Sequence, residues 1–195
     1  MNKIVLLCFF ILISCKKTET EKHPKIIVLQ PLGNFQSNAA NEVLEKIKEI
    51  NPNVVLRKAI DFPLGSYYKS RNRFRADSII KNLKSKIGVD SVIVGLSNKD
   101  ISTTKGKIRD WGVMGLGYHP GRACVVSDFR LSNKNKKEQF YKVVLHELGH
   151  TEGLPHCETK TCLMRDAAGG NPIDQEKNFC KKCSTFLKSK NWNLK

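Results

Sequence analysis

The sequence predicts a mixed α/β (α+β) fold: a mostly parallel β-sheet with one exposed edge strand, packed against a histidine-bearing helix, plus a small Cys-rich C-terminal segment. Three observations predict it. Short apolar runs alternate with amphipathic helical patterns from Lys25 to about Leu96, the order of a parallel sheet with crossover helices. Two further short runs, the first rich in glycine, are joined by the turn-like YHPGR. Four cysteines then crowd between residues 157 and 183.

Each element follows from local chemistry. KIIVLQ (Lys25 to Gln30) is a short apolar run ended by PLG, which reads as a buried strand and a turn. After Ser37, Val43, Leu44, Ile47 and Ile50 fall on one helical face, and Asn51-Pro52-Asn53 stops that helix. NVVLR is a second strand. A second helix is expected from about Asn72 to Lys86, with Ile79, Ile80 and Leu83 inward and Gly88 at its end. SVIVGL (Ser91 to Leu96) is a third buried strand. WGVMGLG (Trp111 to Gly117) reads as the exposed edge strand and ACVVSDF (Ala123 to Phe129) as a central one. NKNKKEQFYKVVLHELGH then reads as a helix, with Phe140, Val143, Val144 and Leu148 facing one way.

The N-terminus carries a different signal. MNKIVLLCFFILIS places one Lys before an apolar run too short to span a bilayer but suited to a signal-peptide core. Leu12-Ile13-Ser14-Cys15 resembles the lipobox of bacterial lipoproteins, which implies cleavage before Cys15 and lipidation of it. The expected organisation is a signal peptide over residues 1–14, lipidated Cys15 and a polar linker over 15–24, and one domain over 25–195. The expected location is the cell envelope, with the membrane as a partner through the lipid. Cys8 would leave with the signal. With 34 Lys and Arg against 18 Asp and Glu, the formal charge is +16, which favours anionic head groups or acidic peptides. The charges are spread along the chain without a nucleic-acid module pattern, so no nucleic-acid partner is expected. A hydrophobic content of 40% suffices for a packed core.

The densest chemistry lies in HELGHTEGLPHCETKTCLM, residues 146–164. His146 and His150 are four apart, so they share one helical face and can grip one Zn²⁺. Glu147 sits beside them, placed to take a proton from an attacking water. Gly153 breaks the helix and Pro155 discourages its continuation, so the chain can return His156 from another direction. Three ligands leave a fourth position open, the mark of a catalytic zinc.

HExxHxxGxxH is the metzincin signature, and the following HCETKTCLM and FCKKC make the run resemble the archaemetzincin family of zinc metallopeptidases. That resemblance implies a metzincin-like twisted mixed β-sheet with the active-site helix behind it, so that residues 25–195 form a metallopeptidase domain. It implies two zinc ions: a catalytic one on His146, His150 and His156, and a structural one on Cys157, Cys162, Cys180 and Cys183. Met164 matches the Met-turn position. The resemblance further implies a peptide or protein substrate laid along Trp111 to Gly117, hydrolysis with Glu147 as the catalytic base, and an aminopeptidase-like preference for short peptides. The gap from Met164 to Cys180 is shorter than the family's, and no Tyr follows Met164 closely, so the oxyanion-stabilising group is unassigned; Tyr118 and His119 are candidates by place alone. Outside the cytoplasm the four cysteines could instead form two disulfides. Cys124 reads as a small buried residue. The alternative function is a non-catalytic zinc- and peptide-binding lipoprotein.

Overall fold

The computed structural model describes residues 25–194. The signal, lipidation and linker readings on residues 1–24 lie outside the described residues. Among the described residues, no helix is long and apolar enough to cross a membrane.

Five strands form the main sheet, in the order β2-β1-β5-β9-β8. They are β1 (Ile26–Pro31), β2 (Val54–Leu56), β5 (Ser91–Ser97), β8 (Gly115–Gly117) and β9 (Ala123–Ser127). Four run parallel, and β8 pairs antiparallel to β9 at the edge. Both faces are covered, which is why the strands read as continuous apolar runs rather than alternating ones. Ile27, Leu29, Val92, Val94, Leu96, Cys124 and Val126 pack with helices α1 (Ser37–Lys48) and α3 (Lys136–Glu152). Val28, Ile93, Ala123 and Val125 pack with α2 (Ala76–Lys84) on the other face. The period-two alternation of these sets is the pleat itself. The short helix α4 (Lys181–Lys188) joins the first cluster through Cys183 and Leu187, followed by Trp192. The mixed α/β class and the Cys-rich C-terminal segment match the sequence reading.

Three details differ from it. The expected helix start at Asn72 is instead a left-handed residue (φ 51°) leading into a strand, β4 (Arg73–Arg75). β4 pairs with β3 (Tyr67–Tyr68) and β6 (Ile101–Lys105), and Phe74 stacks on Phe62 at 4.0 Å. Non-local pairing therefore outweighs the local helical pattern there. At its other end α2 stops with Ser85 as its C-cap, before Gly88. Finally, Trp111 to Gly117 is not one strand. Ile108–Val113 is β7, the edge of a second, four-stranded sheet ordered β3-β4-β6-β7. Met114 then separates it from β8. Ion pairs gathered on the buried Asp100 fix this second sheet in place. Arg73 binds Asp100 (2.6 Å) and Asp110 (3.0 Å), while Arg130, beyond β9, grips Asp100 through two nitrogens (2.7 and 2.9 Å). The two edges, β7 and β8, thereby run on as one wall.

Candidate metal centre

α3 ends where the sequence says it should. Gly153 adopts φ 110°, its N–H bonds the His150 carbonyl (2.9 Å), and the Leu154 N–H bonds the Gly149 carbonyl (3.0 Å). This is the Schellman arrangement, which glycine enters without steric cost. The turn has a second effect: it delivers the Leu154 carbonyl to His150 Nδ1 at 2.7 Å. The His146 Nδ1 meets the Leu163 carbonyl at 2.6 Å. A carbonyl only accepts, so both Nδ1 atoms carry hydrogen and both Nε2 atoms present lone pairs. Those two Nε2 atoms lie 3.0 Å apart. Burial, reinforced by the neighbouring imidazoles, pulls His146 down to about 3 and His150 down to about 4, so both rings are neutral. Two lone pairs aimed at one point repel unless a cation sits between them, and neutral imidazole is the form that ligates zinc. His156 completes the set, with one ligand nitrogen from each of the three rings within 4.8 Å of the others. His156 Nδ1 also faces Asp166 Oδ2 at 3.6 Å. Met164 is fully buried beneath this centre, and a Cβ on Gly149, between the two helical histidines, would meet its sulfur at 2.6 Å.

Glu147 lines the same cleft as the three histidines and lies against the wall. Its carboxylate accepts the Gly117 N–H, and burial pushes it up to about 8 despite that bond. The wall is glycine here for a steric reason. A Cβ on Gly115 would stand 2.6 Å from Glu147 Cγ, and one on Gly117 would stand 3.1 Å from its Oε2. Only the absence of a side chain lets β8 lie this close to the carboxylate.

Cys157, Cys162, Cys180 and Cys183 form the second cluster, with all four sulfurs within 4.8 Å of one another. All are free thiols. Four sulfurs held ~2.3 Å from one zinc stand about 3.8 Å apart; the Cys157 and Cys180 sulfurs are 3.7 Å apart. Cys162 Sγ accepts the N–H groups of Met164 (3.5 Å) and Cys180 (3.3 Å). Hydrogen bonds, chiefly from the Cys183 N–H, bring Cys180 down to about 7. Donors on sulfur favour the thiolate, the form that binds metal, whereas burial pushes the Cys162 and Cys183 thiols up, which a cation among the four sulfurs would offset. The clusters are joined: Cys157 follows His156, the Cys157 N–H bonds the Met164 carbonyl (2.8 Å), and Leu163 orients His146.

A cleft of about 790 Å³ runs past the histidines, between the β7–β8 wall and the segment after Met164. Trp111 crosses it to within contact of Gly169. Tyr118 and His119 both line it. Tyr118 donates its hydroxyl to Asp77 (2.7 Å), and burial with that bond raises it to about 12; the His119 ring lies 5.8 Å from that of His150. Cys124 is fully buried, as expected. Sequence reasoning missed Asp166 and Glu176, which also line the cleft. Neither stands at a ligand spacing, so no periodic signal marks them.

Comparison with known proteins places this geometry. The profile described as Peptidase family M54 matches residues 28–189. An archaemetzincin of Nanoarchaeum equitans is 33% identical over 153 residues, covering 78% of this chain and 84% of that protein. The crystal structure of archaemetzincin from Methanopyrus kandleri superposes with a TM-score of 0.72 at 25% identity, covering 89% of this chain and 98% of that one. That of Archaeoglobus fulgidus, complexed with malonate, gives 0.69 at 30% identity, covering 82% and 98%.

Proposed function

Since the chain belongs to peptidase family M54 and is a zinc metallopeptidase, we propose that His146, His150 and His156 hold its catalytic zinc and that Glu147 is its catalytic base. The observation that carries this is the pair of Nδ1-to-carbonyl bonds, which turn two unprotonated Nε2 atoms toward one point beside a buried carboxylate. When bound, zinc supplies Lewis-acid chemistry to the scissile carbonyl. Burial alone would keep Glu147 protonated near neutral pH, and a zinc ion on the histidines would favour its ionised form; the carboxylate then takes the proton of the attacking water and passes it to the leaving amine nitrogen. The Gly117 N–H holds the carboxylate for that transfer. Substrate backbone adds along the outer edge of β8, save at the Gly117 N–H that Glu147 already holds, and the neutral imidazoles keep the site ready for metal at physiological pH.

Cys157, Cys162, Cys180 and Cys183 hold a second, structural zinc, and Met164 is the Met-turn residue; the 3.7 Å sulfur spacing supports the former and burial under Gly149 the latter. Substrates are short peptides cleaved in an aminopeptidase-like manner, a reading supported by the limited cleft and by Trp111 reaching across it. The chain is exported and anchored through lipidated Cys15, supported by the apolar run and the LISC sequence. Metal analysis and a peptide-library assay of purified protein test the first two readings. About two zinc per chain with cleavage agrees with them; no zinc defeats them. Labelled fatty acid that enters the wild type and not Cys15→Ala tests the anchor.

A further inference from the structure

We propose that Glu176 makes one end of the cleft a subsite for a cationic group of the substrate, an ammonium or a guanidinium. The proposal rests on the peptidase reading and names the substrate chemistry of that same site.

Glu176 lines the cleft with Lys142, Val143 and Ile173. Lys142 and Val143 lie one helical turn before His146 and Glu147 on α3, so this end adjoins the reacting centre on the same helix face. The residue is 4% exposed, yet no hydrogen bond or ion pair within the described residues reaches its carboxylate. A carboxylate taken out of water without a partner costs several kcal/mol or gives up its charge.

Two cations stand near, and both are engaged elsewhere. Lys142 Nζ is 2.8 Å from the Glu138 carboxylate and donates to the backbone carbonyls of Ile173 (3.2 Å) and Glu176 (2.7 Å). Arg165 donates to Gln175 Oε1 (2.8 Å) and to the Lys160 carbonyl (3.4 Å). Their fields pull the Glu176 carboxyl down, but burial outweighs them and leaves it at about 7. The Glu176 carboxylate therefore lacks a cation in direct contact with it. Val143 and Ile173 offer apolar surface to the methylenes of a long side chain whose charged head reaches Glu176. The strongly basic chain as a whole would draw acidic peptides, so a cationic preference at this end must arise locally.

The test compares peptides carrying Lys, norleucine or Glu on either side of the scissile bond, each with a free or an acetylated N-terminus, on zinc-loaded protein. A charge-assisted hydrogen bond predicts about a tenfold or greater preference in kcat/KM for Lys over norleucine. In Glu176→Gln that ratio falls to about one, in Glu176→Asp it survives in part, and in Glu176→Lys the preference moves to Glu. If the cation recognised is the α-ammonium, the free-to-acetylated ratio collapses instead. Equilibrium binding of the same labelled peptides to Glu147→Gln, with and without Glu176→Gln, reads the preference without turnover. Absence of cleavage by the wild type thus overturns the peptidase reading alone. A wild type indifferent to charge in both assays, or a preference that Glu176→Gln leaves intact, overturns the subsite. Zinc content and Tm of each variant separate loss of recognition from loss of fold.

Discussion

Gly115→Ala tests whether the wall and the carboxylate are as tightly matched as they look. β8 cannot simply step back, because its register on β9 (Gly115 with Val126, Leu116 with Val125) holds it. An added Cβ would lie 2.6 Å from Glu147 Cγ and 2.8 Å from its Cδ, where ordinary contact begins at 3.4 Å. Glu147 Oε1 is nearer still, so the carboxylate must retreat by at least roughly 0.8 Å on this geometry, and a displacement approaching 1 Å can cost about 100-fold in rate, equivalent to about 2.7 kcal/mol of barrier. Overpacking should also cost about 1–3 kcal/mol of stability. Zinc should stay, since backbone carbonyls, not Glu147, orient His146 and His150. The assay is kcat on a short peptide, beside zinc content by mass spectrometry. Gly88→Ala is the control, because a Cβ there meets nothing within 4 Å. A Gly115→Ala protein with native zinc and native kcat would refute the steric argument.

Other outcomes follow from the same geometry. Glu147→Gln should keep its zinc and lose about 10²–10⁴ in kcat; retained turnover would assign the proton transfer to another group. Cys183→Ser should lower the zinc content by about one per chain and lower Tm by at least about 6 °C, or roughly 2 kcal/mol at this chain length; an unchanged Tm would remove the structural role of the cluster. Glu176 has its folded pKa raised from 4.5 to about 7. The folded state holds that proton more tightly, so its stabilising effect is complete below pH 4.5 and is lost as pH rises through 7. Glu176→Gln should therefore stabilise the protein at pH 8, by on the order of 2–3 kcal/mol, and little at pH 5. Equal denaturant midpoints for the two proteins at pH 8 would show that the carboxylate is not desolvated.

What the sequence disclosed was governed by distance along the chain. His146 and His150 are one helical turn apart, and Gly153 and Pro155 must end that helix, so their meeting with His156 is local arithmetic. Cys157 with Cys162 and Cys180 with Cys183 are two close pairs, and their types and spacing carry the second cluster. The strands of the main sheet were legible because burial on both faces makes them uniformly apolar. The second sheet was not. β3 is two residues, β4 is Arg-Phe-Arg, and β6 is Ile-Ser-Thr-Thr-Lys; their stability comes from ions such as Arg73 with Asp100, 27 residues away. The same reason hid the break at Met114, where one apparent strand divides between two sheets. Glu176 was illegible because only its burial, a tertiary fact, makes it unusual.

The outer rim of β8 is three residues long, and Glu147 already holds the N–H of its last glycine. At about 3.3 Å per residue it spans roughly 10 Å, room for main-chain bonding to about three residues of a guest. A polypeptide many times longer gains nothing further from that rim. Binding strength should accordingly rise over the first few residues and then level off, and selection among guests must come from what their side chains carry rather than from how far they extend.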